Sequence, residues 1–147
     1  MYLVKISTII ALTILAAQQV SADFTYKTCP DPNNVTNCIK IHSISISPDP
    51  IQSGKSLQME MNGTLCQDLD QNAYVTGTAK YLFLTVPINN QDMCDYVECP
   101  MQKGQHVVQK SVDIPDTYPK GTYKVHLEGY NGDNSPLFCV DASIQLD

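Results

Sequence analysis

Six cysteines, Cys29, Cys38, Cys66, Cys94, Cys99 and Cys139, and three histidines, His42, His106 and His126, are the residues of this 147-residue chain best suited to chemistry. They have two uses, holding a metal or cross-linking the fold. Zinc needs three or four N and S donors brought together at short spacings. Cys94 and Cys99, at C-x4-C spacing, would supply one pair, but the other cysteines are scattered and the histidines form no second pair at ligand spacing. An even number of cysteines in an exported chain reads instead as disulfides, which leaves no thiol free as a nucleophile. The chain also has no G-x-S-x-G elbow and no H-E-x-x-H pair. Neither catalysis nor a metal nor a cofactor is expected.

Export is itself legible at the N-terminus. Lys5 provides a positive start, Ile6 to Ala17 an apolar stretch, and Val20-Ser21-Ala22 small residues before a cut, so residues 1–22 read as a signal peptide and 23–147 as one mature domain. No later stretch approaches the ~20 apolar residues that span a bilayer. Asn34-Val35-Thr36 and Asn62-Gly63-Thr64 are N-glycosylation acceptors, meaningful only on the secretory route and expected at the surface. Loss of Lys5 with the leader takes the formal charge from −6 to −7, and the chain has no arginine. Phosphate backbones are held by clustered Lys and Arg, so nucleic acid is excluded as a partner. Acidification shrinks the negative charge, which should favour contact with anionic membranes in an acidic compartment.

The elements that position these residues are short and extended. Ile44 and Ile46 alternate with Ser43, Ser45 and Ser47 before Pro48-Asp49-Pro50, and a turn at Gln52-Ser53-Gly54-Lys55 leads to Leu57, Met59 and Met61 at period two. Val75 to Pro87 reads as one long central strand, with Leu82, Leu84 and Val86 on one face and Tyr81 and Phe83 on the other. Val108, Val112 and Ile114 mark a further strand. Tyr123, Val125 and Leu127 mark the next, and Phe138, Val140, Ala142, Ile144 and Leu146 share one face of the last. No helical stripe interrupts them. Six or seven strands with Pro and Gly turns predict an all-β, immunoglobulin-like sandwich of two antiparallel sheets, without the core Trp of an immunoglobulin domain.

Strand pairing about Gln52 places residues whose numbers sum to about 104 opposite each other, as Cys38 and Cys66 do. Consecutive strands also lie in opposite sheets in such folds, and either arrangement brings these two cysteines together. Cys94 and Cys99 would close a small loop, leaving Cys29 for Cys139. That last bridge should sit outside the core, because Cys139 alternates with Phe138 and Val140.

Phe24-Thr25-Tyr26-Lys27-Thr28-Cys29, Ile46-Ser47-Pro48-Asp49-Pro50 leading to Gly54, and Cys94-Asp95-Tyr96-Val97-Glu98-Cys99-Pro100 together resemble the ML (MD-2-related lipid-recognition) family. Ile114-Pro115, Tyr118-Pro119, Gly121-Thr122-Tyr123 and Leu137-Phe138-Cys139 continue the likeness in order across the mature chain. The resemblance implies two sheets splayed at one edge around an apolar cavity that takes a sterol, a phospholipid or acyl chains. It also implies Cys29–Cys139 and Cys94–Cys99 bridges. Cys38 and Cys66 depart from the family's usual third bridge, and their pairing is inferred by elimination.

The same resemblance places the cavity mouth on Val86, Pro87 and Ile88, with the opposite lip, two residues shorter here, on Pro115 and Tyr118. Deeper lining falls on Met59, Leu82, Leu84, Val125 and Leu127. Alternation alone would make these ordinary core residues; the resemblance makes them cavity walls. Lys120, beyond the Tyr118 lip, would meet a lipid phosphate or stand as a solvated turn residue. The function implied is a lipid carrier, secreted or resident in the lumen of an endosome or lysosome, monomeric and in transient contact with membranes. The alternative is a secreted recognition module that presents lipid to, or binds, a receptor.

Overall fold

The computed structural model describes residues 24–30 and 38–147, so the leader and Asn34 lie outside the described residues. Eight strands follow in order: β1 (Thr25–Thr28), β2 (Ile39–Ser47), β3 (Ser56–Leu65), β4 (Tyr74–Tyr81), β5 (Leu84–Asp92), β6 (Gly104–Asp113), β7 (Gly121–Tyr130) and β8 (Pro136–Leu146). A single 3-10 turn, Met93–Asp95, follows β5. The strands form two antiparallel sheets, β1-β8-β7-β4-β5 and β2-β3-β6. The immunoglobulin-like sandwich expected from the alternating pattern is thus the architecture found.

Sequence pattern accounts for most of the register. Ile39 faces Leu65 and Ile41 faces Gly63 in β2 and β3, so these pairs sum to the expected 104. A shift between Ile41 and Ser43 then adds one residue and keeps Ile44 and Ile46 on the inner face. A one-residue slip would otherwise turn both side chains to solvent. In β8 a similar shift leaves Leu137 between the partners of Gly129 and Tyr130, and its side chain is completely buried.

The segment from Val75 to Pro87 is not one central strand. It is the β4–β5 hairpin, in which Tyr81 pairs with Leu84 across a two-residue turn at Leu82 and Phe83. Leu82 adopts φ 53°, a conformation that glycine or asparagine usually supplies in such turns. An uninterrupted run of β-forming apolar residues therefore hid the reversal. The correction moves β5 to the edge of its sheet, where Pro87 is tolerated because its missing N–H falls on no internal ladder. It also carries Leu82 and Phe83 out to solvent, at 77% and 90% exposure.

The core is divided. One cluster of buried side chains, Ile39, Leu65, Leu69, Ala73, Met93 and Leu137, closes one end of the sandwich. A smaller one, Ile51, Leu57 and Leu146, closes the other. Between them Ile44, Met59, Met61, Val108, Val125 and Leu127 are only half-buried. None of the three disulfides ties the sheets together: Cys29–Cys139 joins β8 to the residue after β1, Cys38–Cys66 staples the ends of β2 and β3, and Cys94–Cys99 closes the loop after β5. The hydrogen bond from Cys29 N–H to Cys139 O, at 3.0 Å, continues the β1–β8 ladder through the bridge.

Cys29 and Cys139 are 110 residues apart, so their bridge closes nearly the whole domain. Replacing both by serine should lower unfolding free energy by about 2–5 kcal/mol, read from denaturant melts with the slope fitted separately for each protein, since the opened chain exposes more surface on unfolding. An unchanged unfolding free energy would contradict this.

Candidate functional site

The half-buried residues between the two core clusters enclose a cavity of about 410 Å3, within the ~300–1,000 Å3 range of small-molecule sites. Its walls come from both sheets. β2 and β3 contribute Ile41, Ile44, Met59, Met61 and Leu65; β7 and β8 contribute Val125, Leu127, Phe138 and Val140; β4 and β5 contribute Val75 and Ile88. Leu69, Met93, Val97 and Met101, from the loops, finish the floor. Gly129 makes room for one wall, since a Cβ there would collide with the Phe138 ring. Met59 and Met61 bring flexible, polarisable side chains suited to ligands of varied shape.

The polar atoms of the lining gather on one side. Gln91 at the end of β5 and Tyr96 after the 3-10 turn are exposed, while His106 and Lys110 lie half-buried on the inner face of β6. The Lys110 ammonium donates to the Asp95 carbonyl at 2.8 Å, and His106 Nε2 lies 2.7 Å from the Gln102 carbonyl. Because β5 and β6 are the edge strands of their sheets, the cavity opens between two edges that do not hydrogen-bond to each other.

Of the residues expected to line the cavity, Met59, Val125, Leu127 and Ile88 do so. Leu82, Leu84, Val86, Pro87, Pro115 and Tyr118 are exposed and outside the lining. Leu84 and Val86 share their face of β5 with Ile88 but stand further along the hairpin toward its tip. Lys120 is exposed as well, its carbonyl accepting from the Tyr81 hydroxyl at 2.9 Å. The sequence reading missed Lys110 because a lysine is not looked for on a core face. The signal was there nonetheless: His106, Val108, Lys110 and Val112 alternate with Gln105, Val107, Gln109 and Ser111, and Val108 and Val112 set the inward phase.

A second, more polar depression of about 590 Å3 crosses the outer face of the five-stranded sheet, lined by Lys27, Thr78, Lys80, Lys124, His126 and Asp141 among others. Two of its lining residues, His126 and Asp141, belong to a hydrogen-bonded group. His126 Nδ1 lies 2.7 Å from Asp141 and Nε2 lies 3.1 Å from Glu128; the Tyr130 hydroxyl donates to Glu128 at 2.6 Å. The hydrogen bonds to Asp141 and Glu128 raise the His126 pKa above its ordinary value. Those from Tyr130 and then His126 lower that of Glu128, and Tyr130 in turn is pushed up to about 12 by Glu128. Cys29 and Cys139 flank the ring at 3.9 Å, but both sulfurs are in the disulfide and have no lone thiolate to offer a metal.

Comparison with known proteins agrees with this geometry. Residues 23–146 match the ML domain, and the chain belongs to that family. A phosphatidylglycerol/phosphatidylinositol transfer protein of Aspergillus fumigatus is 33% identical over 119 residues, covering 78% of this chain and 67% of the relative. The protein of the same description from Emericella nidulans is 30% identical over 128 residues, covering 84% and 75%. Among solved structures, a Niemann-Pick type C2 protein from Japanese carpenter ant superposes with a TM-score of 0.66 at 17% identity, covering 84% of this chain and 99% of that one. Chicken MD-1 complexed with lipid IVa gives 0.57 at 17%, covering 83% and 88%. The last two share the fold.

Two outcomes follow. Val108→Phe with Val125→Phe fills space instead of overpacking it, so stability should stay within about 1 kcal/mol while affinity for an apolar fluorescent probe falls about tenfold or more. Unchanged probe binding would place the probe elsewhere. For His126, the raised pKa means stabilisation that is complete below the unfolded value of 6.5 and lost as pH rises through the folded one. For Glu128, the lowered pKa means stabilisation present above 4.5 and lost as pH falls through the folded one. Both act between those values. His126→Gln should therefore cost roughly 0.5–1 kcal/mol near pH 5.5 and less near pH 8, as expected of half-exposed pairs; equal losses in thermal melts at the two pH values would contradict this.

Proposed function

We propose that this protein is a lipid carrier that shields one lipid molecule in the inter-sheet cavity, with a phospholipid such as phosphatidylglycerol or phosphatidylinositol as its cargo. The observation that carries the reading is the apolar cavity itself, held open between two separate core clusters in a chain of the ML family. The descriptions of the fungal relatives support the phospholipid, and the lipid IVa bound by chicken MD-1 supports a lipid-accepting fold. A sterol is the competing cargo.

Carriage, not tight storage, follows from the energetics. Burying one CH2 is worth about 0.8 kcal/mol, so a sixteen-carbon chain gains roughly 13 kcal/mol relative to water. A lipid leaving a bilayer gives up nearly the same amount, and the net exchange is small. The protein lowers the cost of aqueous transit without holding its cargo irreversibly.

Delivery requires a surface that meets the membrane. Leu82 and Phe83 at the hairpin tip, with Tyr118 at 54% exposure, form an apolar projection. The Tyr81–Lys120 hydrogen bond and the stacking of Tyr81 on Tyr123 hold the β6–β7 loop beside it. Lys80 and Lys120 flank this end of the molecule in sequence and are exposed. Apolar residues among lysines suit a shallow, reversible contact with an anionic bilayer. The leader, the disulfides and the acceptor Asn62, on β3 opposite Val107, support a secreted or endolysosomal location with glycans at Asn34 and Asn62.

Organic extraction of the purified protein and mass spectrometry should return one lipid per chain. Absence of any lipid after incubation with vesicles would reject the carrier. Leu82→Asp with Phe83→Asp should slow vesicle-to-vesicle transfer about tenfold or more and leave thermal stability unchanged, since neither side chain is packed. An unchanged rate would move the membrane contact to another surface.

A further inference from the structure

We propose that Lys110 is the specificity-determining residue of the cavity, reading the phosphate of an anionic phospholipid whose acyl chain lies on the apolar walls. This inference rests on the carrier reading and names the chemistry of its cargo.

Lys110 occupies an inward position. In the β3–β6 ladder it stands opposite Met59, between Val108, which stands opposite Met61, and Val112, which stands opposite Leu57. A lysine in such a row keeps its methylenes on the apolar wall and extends its ammonium to the nearest polar edge. That edge is the cavity rim, where the ammonium meets the Asp95 carbonyl beside Tyr96 and Gln91. Among the described residues it is the sole lysine of the lining.

Its electrostatic situation is incomplete. Among the described residues the ion pairs are those of His126 with Glu128 and Asp141, on the opposite face of the other sheet, so no carboxylate neutralises Lys110. Among the described residues its ammonium donates to one neutral carbonyl, whereas an ammonium has three donors. In a chain with fifteen carboxylates and nine cations this is not for want of anions. The head is positioned where a lipid phosphate would arrive with its chain inserted, and a charge-assisted hydrogen bond at a partly desolvated rim is stronger than one in bulk water. A sterol hydroxyl would gain no such pairing. A zwitterionic headgroup would gain less, since its own cation competes. Phosphatidylglycerol and phosphatidylinositol share the uncompensated phosphate.

The test measures extraction of phosphatidylglycerol and phosphatidylcholine, with identical acyl chains, from mixed vesicles by the full mature protein. The wild-type chain should favour phosphatidylglycerol by about tenfold, a preference that falls as salt is raised. Lys110→Gln should bring the ratio to about one through a larger loss of phosphatidylglycerol than of phosphatidylcholine extraction, with an unchanged thermal melt showing that the variant folds; Lys110→Arg should keep the preference. A preference unaltered in Lys110→Gln overturns the inference and leaves the carrier intact. Wild-type protein that extracts either lipid equally well, at low salt as at high, overturns it too, whether or not the variant folds. Wild-type protein that extracts neither lipid overturns the carrier reading and this inference with it.

Discussion

The space between the two sheets is walled almost entirely by apolar side chains and is closed only at its ends. Each sheet is stitched internally by its ladders and by its own disulfide, and no disulfide passes from one to the other. An immunoglobulin domain places its bridge across the core and packs a Trp on it; here neither is present. The sheets are therefore free to stand apart where side chains are short of filling the gap, and the cavity, its rim and its accessible edge all follow. Fully buried residues such as Leu69 and Leu137 act as end-stops, while the middle stays available to a guest.

Polar residues are arranged around this plan in distinct zones. Lys110 brings a cation to the rim, with its methylenes on the apolar wall. The His126, Glu128, Asp141 and Tyr130 group lies on the outer face of β7 and β8, against the Cys29–Cys139 bridge. It reinforces the ladder that carries one cavity wall and does so best in weakly acidic surroundings. The exposed apolar residues occupy a third zone, the tip of the β4–β5 hairpin. Binding, wall stability and surface contact thus depend on different side chains.

Most of the architecture was legible because period-two alternation directly reports which face is buried. One turn and two cysteines suggested the β2–β3 pairing without excluding opposite sheets, and the shift after Ile41 had no signal in the sequence; the inward residues Met59, Val125 and Leu127 were recognisable by phase alone. The errors have separate physical causes. Tyr81-Leu82-Phe83-Leu84 looks like continuous strand because its turn is made without glycine, and the backbone reversal at Leu82 depends on the surrounding sheet, not on local preference. That one misreading put Leu82 and Leu84 on a central wall. Lys110 escaped notice because polarity argued against an inward position although alternation argued for it. Met93 and Leu69 lie in loops, where no periodicity announces burial.

Pro87 gives the open edge a property of its own. In the hairpin register it pairs with Thr78 one step beyond the Ala79–Val86 pair, in a position whose N–H would point away from β4. The outward row of β5 therefore lacks a donor midway along its length, and a strand from a second molecule finds its ladder interrupted there. A cavity bounded by free edges would ordinarily invite molecules to join edge to edge at the concentrations of a secretory vesicle. This proline leaves the protein an unpaired margin onto which a second strand cannot ladder without a gap.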